Sequence, residues 1–125
     1  MKKVIDTSGA PKALGPYSQA VMWGDTLYLS GQVGIDPGEG RIVADAVEGQ
    51  ARQVMNNLGA VLEEAGMSFA NVVKTTIYLV SMDDFQTVNG VYGDFFESDP
   101  PARATLQAAA LPLGALVAIE AVARI

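Results

Sequence analysis

The last quarter of the chain constrains the fold most. Ala102–Ala110 and Ala115–Ile125 read as two strands around the turn Leu111-Pro112-Leu113-Gly114, and apolar residues fall on both of their faces. Such strands need cover on both sides of the sheet. Only two helices are legible in the remainder of the 125 residues, enough to cover one side. The economical cover for the other is a second copy of the chain, so a homo-oligomer is expected.

The rest organises around those strands as one domain, residues 1–125, with no linker, repeat or low-complexity tract. Trp23 to Ser30 predicts a hairpin, its turn at Gly24-Asp25 leading into alternating Leu27 and Leu29. Asp36 to Gly40 is a loop by its proline and glycines. Asp45 with Glu48 three residues on matches a capping box. From there Val47, Ala51, Val54, Leu58, Val61, Leu62 and Ala65 recur at three and four, and Gly66 supplies a left-handed C-cap. Val72 to Val80 is β-branched and aromatic, hence a strand. A second helix is expected from about Asp83, with Phe85, Val88, Tyr92, Phe95 and Phe96 on one face.

The inventory of reactive groups is short. The chain holds no cysteine and no histidine. Disulfides, cysteine nucleophiles, a Ser-His-Asp triad and His/Cys zinc sites are therefore excluded, and no metal or other cofactor is expected. Eight basic residues are scattered among 14 acidic ones, for a net charge of −6, which argues against nucleic acid as a partner. The lysines at positions 2 and 3 precede no hydrophobic stretch, and the uncharged run Ala108 to Ile119 is broken by Pro112 and Gly114. A cytoplasmic protein without membrane partners is expected.

Arg103 is the leading candidate for chemistry. It is the only charged residue between Asp99 and Glu120, and a guanidinium in apolar surroundings requires an anion. That anion is either a ligand's carboxylate or a protein one, Glu120 being the natural counterpart; the plainer alternative is an arginine that snorkels to the surface. A hairpin turn at Leu111–Gly114 sets Thr105 opposite Glu120, with Arg103 diagonal to Glu120 on the same face. Tyr17, in the turn Gly15-Pro16-Tyr17-Ser18-Gln19-Ala20, offers a phenol or simple packing. Gly31, between Ser30 and Gln32, permits a bulge or a ligand's approach to backbone N–H groups. Asn89 sits in the second helix, where its amide needs a partner, backbone or ligand.

Taken singly these signals name no reaction, but their combination is specific. GPYSQAV at residues 15–21, LSGQ at 29–32, VVKTTIYL at 72–79, FQTVNGVYGDFF at 85–96 and PPARATLQAAALP at 100–112 occur in this order. Across essentially its whole length the chain resembles the RidA/YjgF family of enamine/imine deaminases. The resemblance implies an α+β, chorismate-mutase-like fold, with two helices on one face of a mixed sheet. It implies a homotrimer closed around a central β-barrel, with clefts between subunits. The implied reaction is hydrolysis of 2-aminoacrylate or 2-iminobutanoate to the 2-oxo acid and ammonia. Carried over by motif, Arg103 would clamp the substrate carboxylate, and Tyr17, Ser30, Gly31 and Asn89 would line the cleft. The backbone at Thr105 would help hold the imine nitrogen or the water, and Glu120 would serve the chemistry.

One departure bears on that chemistry. Members commonly carry two glutamates in a pattern like Val-Glu-Ile-Glu-Ala, the first of which orients the water. Here the stretch is Val117-Ala118-Ile119-Glu120-Ala121, so Ala118 occupies the first position. Glu120, on the same strand face, would substitute through an intervening water. The alternative is a trimeric carboxylate-binding or regulatory protein without turnover. Ribonuclease activity, attributed to some relatives, is disfavoured by the acidic charge and the absence of a basic patch.

Overall fold

The computed structural model describes residues 1–125. In chain order the elements are β1 (Lys2–Ile5), β2 (Ala20–Trp23), β3 (Thr26–Val33), β4 (Ile35–Asp36), β5 (Arg41–Ile42), α1 (Val47–Glu64), β6 (Val72–Leu79), α2 (Phe85–Gly93), β7 (Ala102–Gln107) and β8 (Val117–Arg124). Six strands form one mixed sheet in the order β1-β2-β3-β8-β6-β7. Its β6–β7 pair is parallel and its other pairs are antiparallel; β4 and β5 make a separate two-stranded ribbon. The α+β, two-helix reading holds.

Alternation along the strands divides the sheet into two unlike faces. Leu27, Leu29, Ile77, Leu79, Val117, Ile119, Ala121 and Ala123 are buried in one core with Val54, Leu58, Val61 and Leu62 of α1 and Val88 and Tyr92 of α2. The opposite face carries no helix. Across it Val4, Val21, Tyr28 and Val122 form an apolar row over four strands, and Val4 and Tyr28 are each 53% exposed.

The hairpin at Gly24-Asp25 forms as expected, with Gly24 at φ 60°. Gly66 caps α1 at φ 76°, its N–H donating to the Glu63 carbonyl while that of Met67 donates to Leu62. The N-terminal capping box does not form. Asp45 lies outside the cap position, which Ala46 holds without a side-chain bond. The buried Gln50 instead ties the first turn of α1 to its surroundings: its amide donates to the Ala44 carbonyl at 3.0 Å and accepts from Leu116 N–H at 2.9 Å. Phe95 and Phe96 fall beyond the end of α2 and pack on Phe69, tilted and edge-to-face, with ring centroids 5.3 and 5.5 Å away.

The larger correction concerns the last two strands. They are not a hairpin, because β6 lies between them. Residues 108–116 arch over the end of β6, where Ala108 N–H donates to the Leu79 carbonyl and Val80 N–H donates to that of Leu116. The first strand also stops at Gln107, short of Ala110. β7 and β8 are antiparallel but flank β6, so their connection must span that strand, which a tight turn cannot do; the crossover that the parallel β6–β7 pair needs is supplied by α2.

Candidate functional site

Register places the candidate residues on rungs that run across the sheet. The rung Ile5, Ala20, Leu29, Ala121, Thr75, Arg103 points to the helix side and ends at the free edge of β7. There the Arg103 guanidinium carbon lies 5.2 Å from the Tyr92 ring centre and 5.6 Å from that of Phe85. Its Nη1 donates to Asn89 Oδ1 at 2.7 Å. The Asn89 amide therefore finds a side-chain partner rather than backbone. Two rings and a neutral amide orient the cation without neutralising it. The only salt bridge in the molecule joins Arg52 and Asp94, at 3.2 Å.

Behind the cation, Tyr92 and Thr75 share a hydrogen bond of 2.6 Å between their hydroxyls. Burial holds the Tyr92 phenol above its usual pKa, against the opposing pull of the Thr75 bond and of Arg103. Replacing Tyr92 by Phe keeps a ring beneath Arg103 but strands the Thr75 hydroxyl, which is 2% exposed. We expect Tyr92→Phe to lose about 1–3 kcal/mol of stability in chemical denaturation. Thr105 lies two residues beyond Arg103 on the same face, its Oγ1 buried and without a partner.

The remaining candidates belong to another part of the surface. Pairing between β3 and β8 shifts between Leu29/Ala121 and Gln32/Ile119, so Ser30 and Gly31 form a bulge opposite Glu120. The Ser30 hydroxyl donates to the Ser18 carbonyl at 2.6 Å, and Ser30 N–H donates to that of Gln19. This clasps the bulge to the turn that carries the half-exposed Tyr17. Gln19, buried, ties the same turn to Thr7 and Pro11. A Cβ at Gly31 would meet nothing within 4 Å, so packing inside the protomer does not require this glycine.

Glu120 is on the open face, because its rung passes through Thr76 and Ala104, one step from that of Arg103. The expected Thr105–Glu120 pairing and the shared face of Arg103 and Glu120 are thus overturned. With β6 interposed, Arg103 and Glu120 stand on strands about 10 Å apart and on opposite faces. The partner of Glu120 is Tyr78, whose hydroxyl donates to Oε1. That bond, with desolvation and the carboxylate's charge adding to it, holds the phenol above its usual pKa. Ala118 lies opposite Tyr78 on the next open-face rung.

Sequence reasoning missed Tyr78, and it read Tyr92 and Phe85 only as a packing face. The alternation of Val72–Leu79 does put Tyr78 on the face opposite Ile77. Only the β6–β8 register brings it to Glu120.

Comparison with known proteins settles the lineage. The family model described as Endoribonuclease L-PSP matches residues 7–125. The chain belongs to the RidA/YjgF family. It is 53% identical over 123 residues to the mouse 2-iminobutanoate/2-iminopropanoate deaminase, covering 98% of this chain and 91% of that one. Among solved structures, RidA from the Antarctic bacterium Psychrobacter sp. PAMC 21119 superposes with a TM-score of 0.95 at 42% identity, covering 98% and 99% of the two chains. E. coli TdcF with bound serine gives a TM-score of 0.94 at 39% identity, with 98% of each covered. No helix is long and apolar enough to cross a membrane.

Proposed function

We propose that this protein hydrolyses small 2-imino acids, such as 2-iminobutanoate and the imine of pyruvate, to 2-oxo acids and ammonia. The observation that carries the reading is the Arg103 guanidinium, held by Asn89, Phe85 and Tyr92 and left without a carboxylate partner. A fixed planar cation of this kind fits a substrate carboxylate through two parallel N–H bonds. A relative named as the deaminase at 53% identity, and another solved with serine bound, support a small amino-acid-derived ligand.

The chemistry asks for positioning more than for strong catalytic groups. Water adds through oxygen to the imine carbon while a proton passes to nitrogen. The C–N bond then breaks as the new hydroxyl gives its proton to the leaving ammonia and the C=O bond forms. Thr105 backbone groups, at the edge beside Arg103, would hold the imine nitrogen or the water. Glu120 would orient the water, with Tyr17, Ser30 and Gly31 lining the cleft.

Arg103 and Glu120 face opposite sides of one sheet, so a complete cleft requires a second copy of the chain. The apolar row Val4, Val21, Tyr28 and Val122 on the open face supports closure into a homotrimer around a central barrel. Light scattering is expected to give three times the 13.1 kDa protomer mass. A stable monomer at micromolar concentration would overturn the shared cleft.

The function itself is tested by generating 2-iminobutanoate with threonine dehydratase and following 2-oxobutanoate with and without the purified protein. Faster formation is expected. An unchanged rate, with 2-oxobutanoate still bound in calorimetry, would replace this reading with that of a carboxylate-binding protein, which Ala118 favours.

A further inference from the structure

We propose that Tyr78 is a positioning residue for this hydrolysis: its hydroxyl fixes the Glu120 carboxylate, so that Glu120 orients the attacking water from beside the space Ala118 leaves. The inference rests on the deaminase reading above and goes beyond it in assigning a role to Tyr78.

Three features of the open face converge on it. The Tyr78 hydroxyl donates to Glu120 Oε1, which leaves Oε2 free to accept from a water. A partly exposed glutamate on the open face of β8 with no side-chain partner would sample several rotamers; this contact selects one. Tyr78 stands directly opposite Ala118 in the β6–β8 register, and Glu120 is the next residue on that face. The short alanine side chain lets the phenol lean across to Glu120. The carboxylate is also well placed for chemistry. The Ser30–Gly31 bulge lies against it on one side, and a cavity of about 180 Å³ lined by Lys74, Thr76 and Val122 opens on the other. Tyr78 and Glu120 are both only partly buried, so water reaches the pair.

The arrangement separates Tyr78 from the carboxylate clamp. Tyr78 points away from the face that carries Arg103 and Asn89, and it has no contact with either side chain. Its loss should therefore slow turnover without weakening the grip on the substrate carboxylate.

The test is steady-state kinetics on Tyr78→Phe, Glu120→Gln and the double variant, with 2-iminobutanoate generated in situ. In Tyr78→Phe, kcat is expected to fall about tenfold while KM and 2-oxobutanoate affinity stay within about twofold. Because Tyr78 acts through Glu120, the double variant should be no slower than Glu120→Gln alone. A merely structural tyrosine would instead give multiplicative losses, or a drop in 2-oxobutanoate affinity or trimer content, and either result overturns the proposal. So does a Tyr78→Phe enzyme as fast as wild type. A wild type without turnover overturns the deaminase reading and this inference with it, whereas an active wild type with an indifferent Tyr78 removes only the inference.

Discussion

Arg103→Ala is expected to abolish binding of pyruvate and 2-oxobutanoate. The guanidinium is the one cation held on a rigid platform, between the Phe85 and Tyr92 rings and against Asn89 Oδ1. Removing one partner of a hydrogen-bonded charge pair costs about 2–5 kcal/mol, a loss of about 30-fold to several thousand-fold in affinity. Arg103→Lys should recover little. An ammonium cannot make two parallel bonds to a carboxylate, nor offer the two rings a planar, weakly hydrated cation. Stability should change little, since Arg103 is exposed and makes no salt bridge. Isothermal calorimetry with 2-oxobutanoate checks this directly, and unchanged affinity in Arg103→Ala would remove the carboxylate clamp.

The second large effect is expected at Ala118. A glutamate there would stand on the same open face as Glu120, opposite Tyr78 and close to the Ser30–Gly31 bulge. A positioned proton-transfer group contributes about 10²–10⁴-fold, so Ala118→Glu should raise kcat by about 10²-fold. Affinity for 2-oxobutanoate should stay nearly constant, because a group acting on the water stabilises mainly the transition state. A second carboxylate should also make turnover less dependent on Tyr78. Ala118 is 7% exposed, so an unpaired glutamate there has a desolvation cost, and trimer content must be measured on the same preparation. An intact Ala118→Glu trimer no faster than wild type would show that Glu120 already performs the role.

Much of the molecule was legible in the sequence because the decisive signals are local. The spacing of Val54, Leu58, Val61 and Leu62 defines the buried stripe of α1, and Gly66 ends it with the left-handed backbone that glycine tolerates. Gly24-Asp25 made the β2–β3 turn recognisable, and the alternation of Leu27 and Leu29 gave its inward face. The absence of histidine and cysteine fixed which chemistries are open to the chain. The order of the motifs from Gly15 to Pro112 identified the family.

What the sequence could not decide was which strands are neighbours. Ala102–Gln107 and Val117–Arg124 lie close in the chain, and a loop with proline and glycine between them suggested a hairpin. The structure instead inserts β6, because the β-branched strand Val72–Leu79 pairs on both of its edges and takes an interior place in the sheet. Period-two alternation says which residues share a face of one strand, but relating faces across strands needs the register, and one step of slip reverses every side chain. That single difference moves Arg103 away from Glu120, gives Arg103 to Asn89 and the two rings, and gives Glu120 to Tyr78. The residue types that can do chemistry were set by the sequence; their partners were set by hydrogen bonding between strands distant in the chain, which only the folded sheet determines.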